Sequence, residues 1–174
     1  MLRDIKVMEP RVSIRPADVD DAARLAGIYN WHVRNGTATF ETEPPDAAEI
    51  AQRISTVQSK QLPWLVAVTE GRIAGYAYAG TYRPRPAYRF TVENSIYLHP
   101  ELTGKGIGSL LMAPLLEACA ERGCRQMIAV IGDSANAASI RLHEKFGFRH
   151  VGVFRDVGFK FDRWLDTVLM QRAL

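Results

Sequence analysis

The chain has 174 residues, of which 47% are hydrophobic and 24% charged, and its formal net charge is +3. This length suits one domain with a full hydrophobic core, and the small net charge gives no argument for nucleic acid as a partner. No apolar run reaches the roughly 18 residues of a membrane span, and the N-terminus lacks a signal-peptide core. We therefore expect a cytoplasmic protein, with residues 1–10 as a flexible leader and residues 11–174 as one domain.

The N-terminal third of the chain predicts one strand and two helices. Residues 12–15 suit a short strand, and apolar residues at helical spacing predict a helix from Asp18 to about Asn35. A second helix is predicted to begin at Asp46, where Glu49, three positions on, supplies the partner of a capping box.

The remaining elements predict an α/β fold around one mixed sheet. Strands are expected at residues 64–69, 72–81, 91–98, 126–131, 150–159 and 164–171, and helices from the 104–109 loop to about 122 and at 136–146. Pro114 lies inside the first of these two helices. Because the apolar spacing continues across it, we expect a kink there and not a break.

A glycine-rich loop, Thr-Gly-Lys-Gly-Ile-Gly-Ser at residues 103–109, joins a predicted strand to a predicted helix. Glycines let the backbone approach a ligand closely, and the first amides of a helix have no partner within it. With the helix dipole and the charge of Lys105, these amides favour a phosphate group. The glycine spacing fits neither a Walker A loop nor a dinucleotide fingerprint, so the alternatives are another kind of phosphate site or a tight turn without a ligand.

The strand Ser95-Ile96-Tyr97-Leu98, the glycine loop and the helix after it together resemble the acetyl-CoA site of the GNAT acetyltransferase superfamily. The family pattern begins with Gln or Arg where this chain has Thr103, which removes a side chain but no backbone donor. The resemblance implies a GNAT-type fold: a mixed, mostly antiparallel sheet with helices on both faces and a splayed central strand pair. It also implies that the following residues bind acetyl-CoA along its pantetheine arm and diphosphate: Ile96, Tyr97, Leu98, Gly104, Lys105, Gly106, Ile107, Gly108 and Ser109.

The predicted helix at residues 136–146 carries a second block similar to the family. Asn136 suits an N-cap by its own chemistry, and Ser139 and His143 share one helical face. A lone histidine on such a face is usually a hydrogen-bonded core residue. The resemblance implies instead that Asn136 and Ser139 contact pantetheine and that His143 donates a proton to the departing sulfur or relays one.

The segment at residues 81–93 holds three arginines and two tyrosines before a strand that carries Glu93. Arginine pairs with a carboxylate in a two-pronged geometry, so this composition suits an anionic small molecule, although an exposed polar loop has the same composition. The segment is similar to phosphinothricin and methionine sulfone or sulfoximine acetyltransferases. That likeness implies a substrate pocket formed by Phe40, Arg83, Arg85, Tyr88, Arg89, Glu93, Asn94 and Ser95.

Acetyl transfer to an amino acid needs a base, because the α-amine is mostly an ammonium ion at neutral pH. Glu93 is the candidate, directly or through one water, since it lies just before the pantetheine strand. The free amine would then attack the acetyl carbonyl in a ternary complex. Cys119 and Cys124 match neither a zinc pair nor a redox motif, so we expect no metal. Neither cysteine lies at a position that matches a catalytic residue of the family, so we expect no covalent catalysis.

Two other functions remain open at this point. One is a protein N-terminal or lysine acetyltransferase of the same fold, which the arginine-rich segment disfavours because such an acceptor has no adjacent free carboxylate. The other is a non-catalytic acetyl-CoA sensor, which would not need Glu93 and His143 together. Family likeness further suggests a homodimer, with residues 159–164 near the neighbour's pocket.

Overall fold

The computed structural model describes residues 12–174, so the predicted leader lies outside the described residues. The elements follow in the predicted order. They are β1 (Ser13–Pro16), α1 (Ala22–Asn35), α2 (Ala47–Ser59), β2 (Trp64–Thr69), β3 (Arg72–Thr81), β4 (Thr91–Leu98), α3 (Ile107–Glu121), β5 (Gln126–Gly132), α4 (Ala137–Lys145), β6 (Arg149–Lys160) and β7 (Arg163–Ala173).

The seven strands form one sheet in the order β1-β2-β3-β4-β5-β7-β6, and every neighbouring pair is antiparallel except β4 with β5. That parallel pairing joins residues 91–94 of β4 to residues 126–129 of β5. Beyond it both strands continue without pairing to each other. The predicted splayed strand pair is therefore confirmed, in the middle of the sheet.

Helices cover both faces of the sheet, as predicted. On one face α3 buries Leu111, Met112 and Leu115 against strand residues such as Met127. On the other face α1 and α2 bury a second cluster, which includes Leu25, Ile50, Ile54, Val66 and Tyr97. Side chains of a strand alternate between faces. Even-numbered residues of β4 therefore face α3, and odd-numbered ones face α1 and α2.

The helix N-termini differ from the expectation in one respect. The Asp46 side chain accepts from the Glu49 amide at 2.8 Å, but the Glu49 carboxylate pairs with Arg53 one turn later and does not return to Asp46. An ion pair thus competes for the second half of the capping box. The reciprocal capping box forms at Asp18 and Asp21, where a short 3₁₀ turn precedes α1.

The other departures concern lengths. Strands β6 and β7 are longer than predicted, with 12 and 11 residues, and β6 contains irregular register at Phe154–Gly158. Helix α3 runs through Pro114 as one element. None of the helices in residues 12–174 is long and apolar enough to cross a membrane.

Candidate active site

A cleft of about 390 Å³ opens where β4 and β5 separate. Its walls come from the end of β4, the glycine loop, the end of β5 and helix α4. Of the predicted cofactor residues, the structure places these in the walls: Ile96, Tyr97, Leu98, Gly104, Gly106, Gly108, Ser109, Asn136 and Ser139. Lys105 and Ile107 are not among the lining residues; Ile107 is 2% exposed because the first turn of α3 directs its side chain into the core.

The glycine loop presents its backbone to the cleft. Gly104 and Gly106 have φ values of +74° and +79°, which residues other than glycine rarely adopt, and Gly106 is the N-cap of α3. A Cβ at Gly108 would lie 3.1 Å from the Leu142 side chain, so this glycine allows α3 and α4 to approach. The Gly106 carbonyl accepts hydrogen bonds from the amides of Ser109 and Leu110. The amides of residues 106–108 have no acceptor within residues 12–174. These free donors at a helix N-terminus suit a diphosphate.

The end of β4 offers main-chain groups to the same cleft. The His99 amide donates to the Ala74 carbonyl at 2.8 Å, and alternate residues of an antiparallel strand bond to the same neighbour. The main-chain groups of Ile96 and Leu98 therefore point away from β3, into the opening. The His32 ring nitrogen Nε2 lies 2.8 Å from the Leu98 carbonyl and donates to it. His32 carries no local motif, so its place in the site is not predictable from the sequence.

Tyr97 belongs to the wall of the cleft, but its ring lies on the other side of the sheet. It packs edge-on against Tyr29 with ring centroids 4.9 Å apart, and burial raises its pKa well above the usual range. The ring is thus part of the α1/α2 core and not a surface for the cofactor.

His143 and Asn94 contact each other in one wall of the cleft. His143 on α4 is 4% exposed and Asn94 on β4 is 6% exposed, and Asn94 Nδ2 lies 2.9 Å from His143 Nε2. The other ring nitrogen, Nδ1, lies 2.8 Å from the Ser139 carbonyl. Burial lowers the pKa of His143, which favours the neutral ring. The structure therefore brings Asn94 to the cofactor side of the sheet, next to the other predicted catalytic residue.

Glu93 lies on the opposite face of the sheet from Asn94. It is the next-to-last β4 residue that pairs with β5. It is partly buried, and it makes no ion pair within 4 Å to any residue that the structure describes. Burial raises the pKa of the Glu93 carboxyl, and the charge of Arg83 offsets part of that rise. A carboxylate with a raised pKa beside an opened strand has the properties of a general base.

The predicted carboxylate-binding residues lie on an exposed connection between β3 and β4. Arg83, Arg85, Tyr88 and Arg89 are all exposed, and none lines the cleft. The connection is ordered by its own contacts, because Tyr82 and Tyr88 pack edge to face at 5.6 Å and Arg89 covers the Phe90 ring at 4.5 Å.

Phe40 lies on two glycines at the end of the sheet. A Cβ built at Gly158 would lie 2.2 Å from the Phe40 ring, and one at Gly132 would lie 2.9 Å from it. The Phe40 ring therefore packs in a space that is open only because both positions are glycine. Ala38 and Gly132 line the cleft, so the Phe40 ring lies beside it.

Two buried charged residues hold the connection that carries Phe40, and sequence reasoning had missed both. Lys160, 5% exposed, donates to the carbonyls of Gly36 and Thr39 at 2.9 and 2.8 Å. Asp133 accepts from the Thr37 hydroxyl at 2.9 Å and from the Ala135 amide at 3.0 Å. No local pattern signals the bonds of Lys160 to Gly36 and Thr39 or of Asp133 to Thr37, because these partners are far apart in the sequence. Among residues 12–174 there is no cluster of His, Cys, Asp or Glu that could hold a metal ion.

A splayed central strand pair with a glycine loop at its open end is the arrangement that the resemblance to acetyltransferases implied. The model of the acetyltransferase (GNAT) family matches residues 25–148, and the chain belongs to this family. This confirms the resemblance seen in the sequence.

Two named relatives and one solved structure are similar to nearly the whole of this chain. A phosphinothricin N-acetyltransferase of Alcaligenes faecalis is 49% identical over 93% of this chain and 82% of its own length. An L-methionine sulfoximine/L-methionine sulfone acetyltransferase of Pseudomonas aeruginosa is 41% identical over 93% of this chain and 94% of its own. The crystal structure of a phosphinothricin acetyltransferase from Sinorhizobium meliloti in complex with AcCoA is 48% identical, with a TM-score of 0.91 over 94% of this chain and 88% of that one.

Proposed function

We propose that this enzyme transfers the acetyl group of acetyl-CoA to the α-amino group of a small amino-acid analogue of the phosphinothricin, methionine sulfoximine or methionine sulfone type. The observation that carries the proposal is the cleft at the β4–β5 separation, lined by unpaired loop amides on one side and by Asn94 and His143 on the other. The names of the relatives supply the class of acceptor.

The residues present fit acetyl-CoA, which supplies the acetyl thioester. The amides of the glycine loop would hold its diphosphate, with Lys105 adding a positive charge. Main-chain groups of Ile96 and Leu98 would bond the pantetheine arm as a neighbouring strand does, and Asn136 and Ser139 would contact it from α4. The free amide of Ile96 or Leu98 is also placed to stabilise charge on the acetyl oxygen.

The acceptor is recognised through its carboxylate and its side chain. Arg83, Arg85 and Arg89 supply guanidinium groups for a carboxylate or phosphinate, with Tyr88 beside them. Phe40 walls the pocket at the end of β5, and Ser95 lies on the same face of β4 as Glu93. A peptide or protein acceptor would leave these arginines without a carboxylate partner at the reacting residue.

Glu93 takes one proton from the acceptor ammonium, directly or through a water, and passes it to solvent. The amine nitrogen then forms its bond to the acetyl carbon while the carbon–sulfur bond breaks. The second nitrogen proton leaves with the thiol of coenzyme A, so one ammonium and one thioester give one amide, one thiol and one free proton. Both substrates are bound together, and no acyl-enzyme forms, in line with the buried cysteines, whose thiol pKa values burial raises.

The test is a panel of acceptors assayed by thiol release and mass spectrometry. Phosphinothricin, methionine sulfoximine and methionine sulfone should each be tried, together with their N-blocked and carboxyl-amidated forms and a set of peptides. We expect acetylation of a free amino acid analogue and loss of activity on amidation of its carboxylate. Faster acetylation of peptides would overturn the assignment in favour of a protein acetyltransferase. Acetyl-CoA binding without turnover of any amine would favour a sensor.

We further propose that the enzyme is a homodimer and that it acts in the cytoplasm, where it uses acetyl-CoA. The β6–β7 hairpin exposes several large apolar side chains, among them Phe159 at 56% and Trp164 at 61%. An exposed apolar surface of this kind marks a contact with another protein surface. A second copy of this chain is the partner that the family likeness suggests.

A further inference from the structure

The hydrogen bonds of His143 fix the orientation of the Asn94 side chain. Nδ1 of His143 lies 2.8 Å from the Ser139 carbonyl, an atom that can only accept, so Nδ1 carries a proton. The ring is buried among apolar groups and packs edge-on against Phe148 at 4.9 Å, which favours the neutral form. In a neutral imidazole with a proton on Nδ1, Nε2 is an acceptor. The atom of Asn94 that faces Nε2 at 2.9 Å is therefore its NH₂ group.

This orientation leaves the carbonyl oxygen of Asn94 without a donor. Oδ1 is buried and has no hydrogen-bond partner among the residues that the structure describes. A buried, unpaired acceptor costs about 1–3 kcal/mol, so native structures usually supply a donor. Asn94 lines the cleft, so the donor that reaches Oδ1 is a group of a bound substrate.

The position of Asn94 selects among the donors that the substrates carry. It is the last β4 residue paired with β5, at the point where the two strands part. Residues 96 and 98, further along the open edge, offer main-chain partners to the amides of pantetheine. The neighbouring residue in the chain is Glu93, and because strand side chains alternate, the two side chains approach the parting point from opposite faces. The amine that Glu93 deprotonates is the N–H donor between them.

We propose that Asn94 is a catalytic residue whose Oδ1 accepts a hydrogen bond from the N–H of the attacking amine, and that His143 is a positioning residue that holds the Asn94 amide in this orientation. The inference rests on the proposed function, since it needs an amine acceptor. As the nitrogen bonds to the acetyl carbon, its remaining hydrogens become more acidic. The bond to Oδ1 therefore strengthens toward the transition state and favours the forward step. In this arrangement His143 does not donate a proton to sulfur, the role that the sequence suggested, because Nε2 has no proton to give.

The first test reads the tautomer and needs no turnover. Nitrogen-15 NMR of the imidazole, with and without acetyl-CoA, should show His143 neutral, protonated on Nδ1 and unprotonated on Nε2 at neutral pH. A proton on Nε2 would mean that Oδ1 of Asn94 already receives it, and the proposal would fall.

The second test separates an effect on the amine from an effect on acetyl-CoA. Asn94→Ala should lower kcat about tenfold or more, because it removes an interaction that is strongest in the transition state. The Kd of acetyl-CoA, measured by calorimetry, should stay within about twofold. A weakened Kd with unchanged kcat would assign Oδ1 to a pantetheine amide instead and contradict the proposal. Thermal unfolding of the variant shows whether the fold is intact.

The third test distinguishes positioning from acid catalysis at His143. Glutamine places an acceptor oxygen near the position of Nε2 but cannot act as an acid at neutral pH. His143→Gln should therefore keep a substantial part of kcat, whereas His143→Leu should lose as much as Asn94→Ala, and the two losses should not add in the double variant. Equal losses in the Gln and Leu variants would contradict a positioning role. Glu144→Gln, an exposed neighbour on α4, is the matched control.

Failure of the inference and failure of the proposed function give different results. If the wild-type chain acetylates none of the amines, the proposed function is wrong and the inference falls with it. If the wild-type chain is active but Asn94→Ala keeps the wild-type kcat, only the inference is wrong.

Discussion

Glu93 is a carboxyl that burial makes harder to ionise, and no cation among residues 12–174 lies within ion-pair distance of it. As a base it must be ionised before it takes a proton. Since its pKa is raised from the ordinary value, the acid limb of kcat/KM should rise with pH at a higher pH than a solvent-exposed glutamate would give.

Glu93→Gln removes the base and should lower kcat by about tenfold or more, since general-base contributions are typically ~10²–10⁴-fold. The same substitution should abolish the acid limb of the pH profile. Steady-state rates across the pH range measure both, with the exposed Glu117→Gln on α3 as the control. An unchanged profile would remove Glu93 from the base role.

Gly158 and Gly152 offer a matched pair on strand β6. A Cβ at Gly158 would lie 2.2 Å from the Phe40 ring, whereas one at Gly152 would meet no atom of residues 12–174 within 4 Å. Phe40 is partly exposed and can swing away, so we expect Gly158→Ala to preserve the fold and displace the ring. KM for the acceptor should then rise several-fold, with KM for acetyl-CoA unchanged and Gly152→Ala silent. Equal KM values in both variants would show that Phe40 does not wall the pocket.

Individual residues were predictable where a local motif carries them, and not where their partners are distant in the sequence. The glycine loop predicts free amides because of its own backbone, and the structure places its glycines on the cleft. The bond between Asn94 and His143 spans 49 positions, and Lys160 reaches Gly36 across 124. Nothing in either neighbourhood announces such a bond, so His143 was interpreted as an acid and Lys160 received no role.

At the level of elements, the N-terminus of the fold depends on one carboxylate. Asp21 accepts two bonds from Arg15, at 2.7 and 2.8 Å, and a third from the Asp18 amide at 2.9 Å. These bonds tie β1 to the turn that begins α1. The hydrogen bond from Arg15 in particular lowers the pKa of Asp21.

Asp21→Asn should lower the free energy of unfolding by about 1–2 kcal/mol at neutral pH, somewhat less than the ~1.5–3 kcal/mol of bonds to charged groups, because Arg15 is partly exposed and screened. A carboxyl with a lowered folded pKa stabilises above its unfolded pKa and loses that effect as pH falls through the folded value. Urea titrations should therefore show the two proteins converging below about pH 4. A difference that persists in acid would indicate lost packing and not lost charge. Asp20→Asn is the control, since its side chain makes none of these bonds.

Periodicity located the elements because each helix and strand buries one face, and burial imposes its spacing on the sequence. It placed β4 at residues 91–98 as the structure has it. It did not predict the ends of β6 and β7. Arg149 and Arg163 at these ends are exposed, and Lys160 is buried as a charged residue, so no apolar alternation marks them. The capping box at Asp46 was half wrong for a related reason, since Arg53 competes for Glu49 only once the helix exists.

For the whole molecule, the proposed dimer makes the exposed hairpin the feature to alter. Trp164→Glu places a charge in its apolar surface, which would remain unpaired and buried at an interface. We expect a shift from dimer to monomer in light scattering at micromolar concentration, whereas Val19→Glu, an exposed apolar site before α1, should leave the mass unchanged. A wild-type chain that is monomeric throughout would contradict the dimer.

The seven strands are two antiparallel groups, β1–β4 and β5–β7, joined by a parallel contact of four residue pairs. A molecule that bonds the main-chain groups of Ile96 and Leu98, which point away from β3, would lie between the two groups of strands and link them. Bound acetyl-CoA should thus stabilise the contact between the two groups of strands, in addition to being a reactant. Deuterium uptake at the Ile96 and Leu98 amides should slow when it binds, and the slowing should extend to β5, whose own bonds to β7 it does not touch.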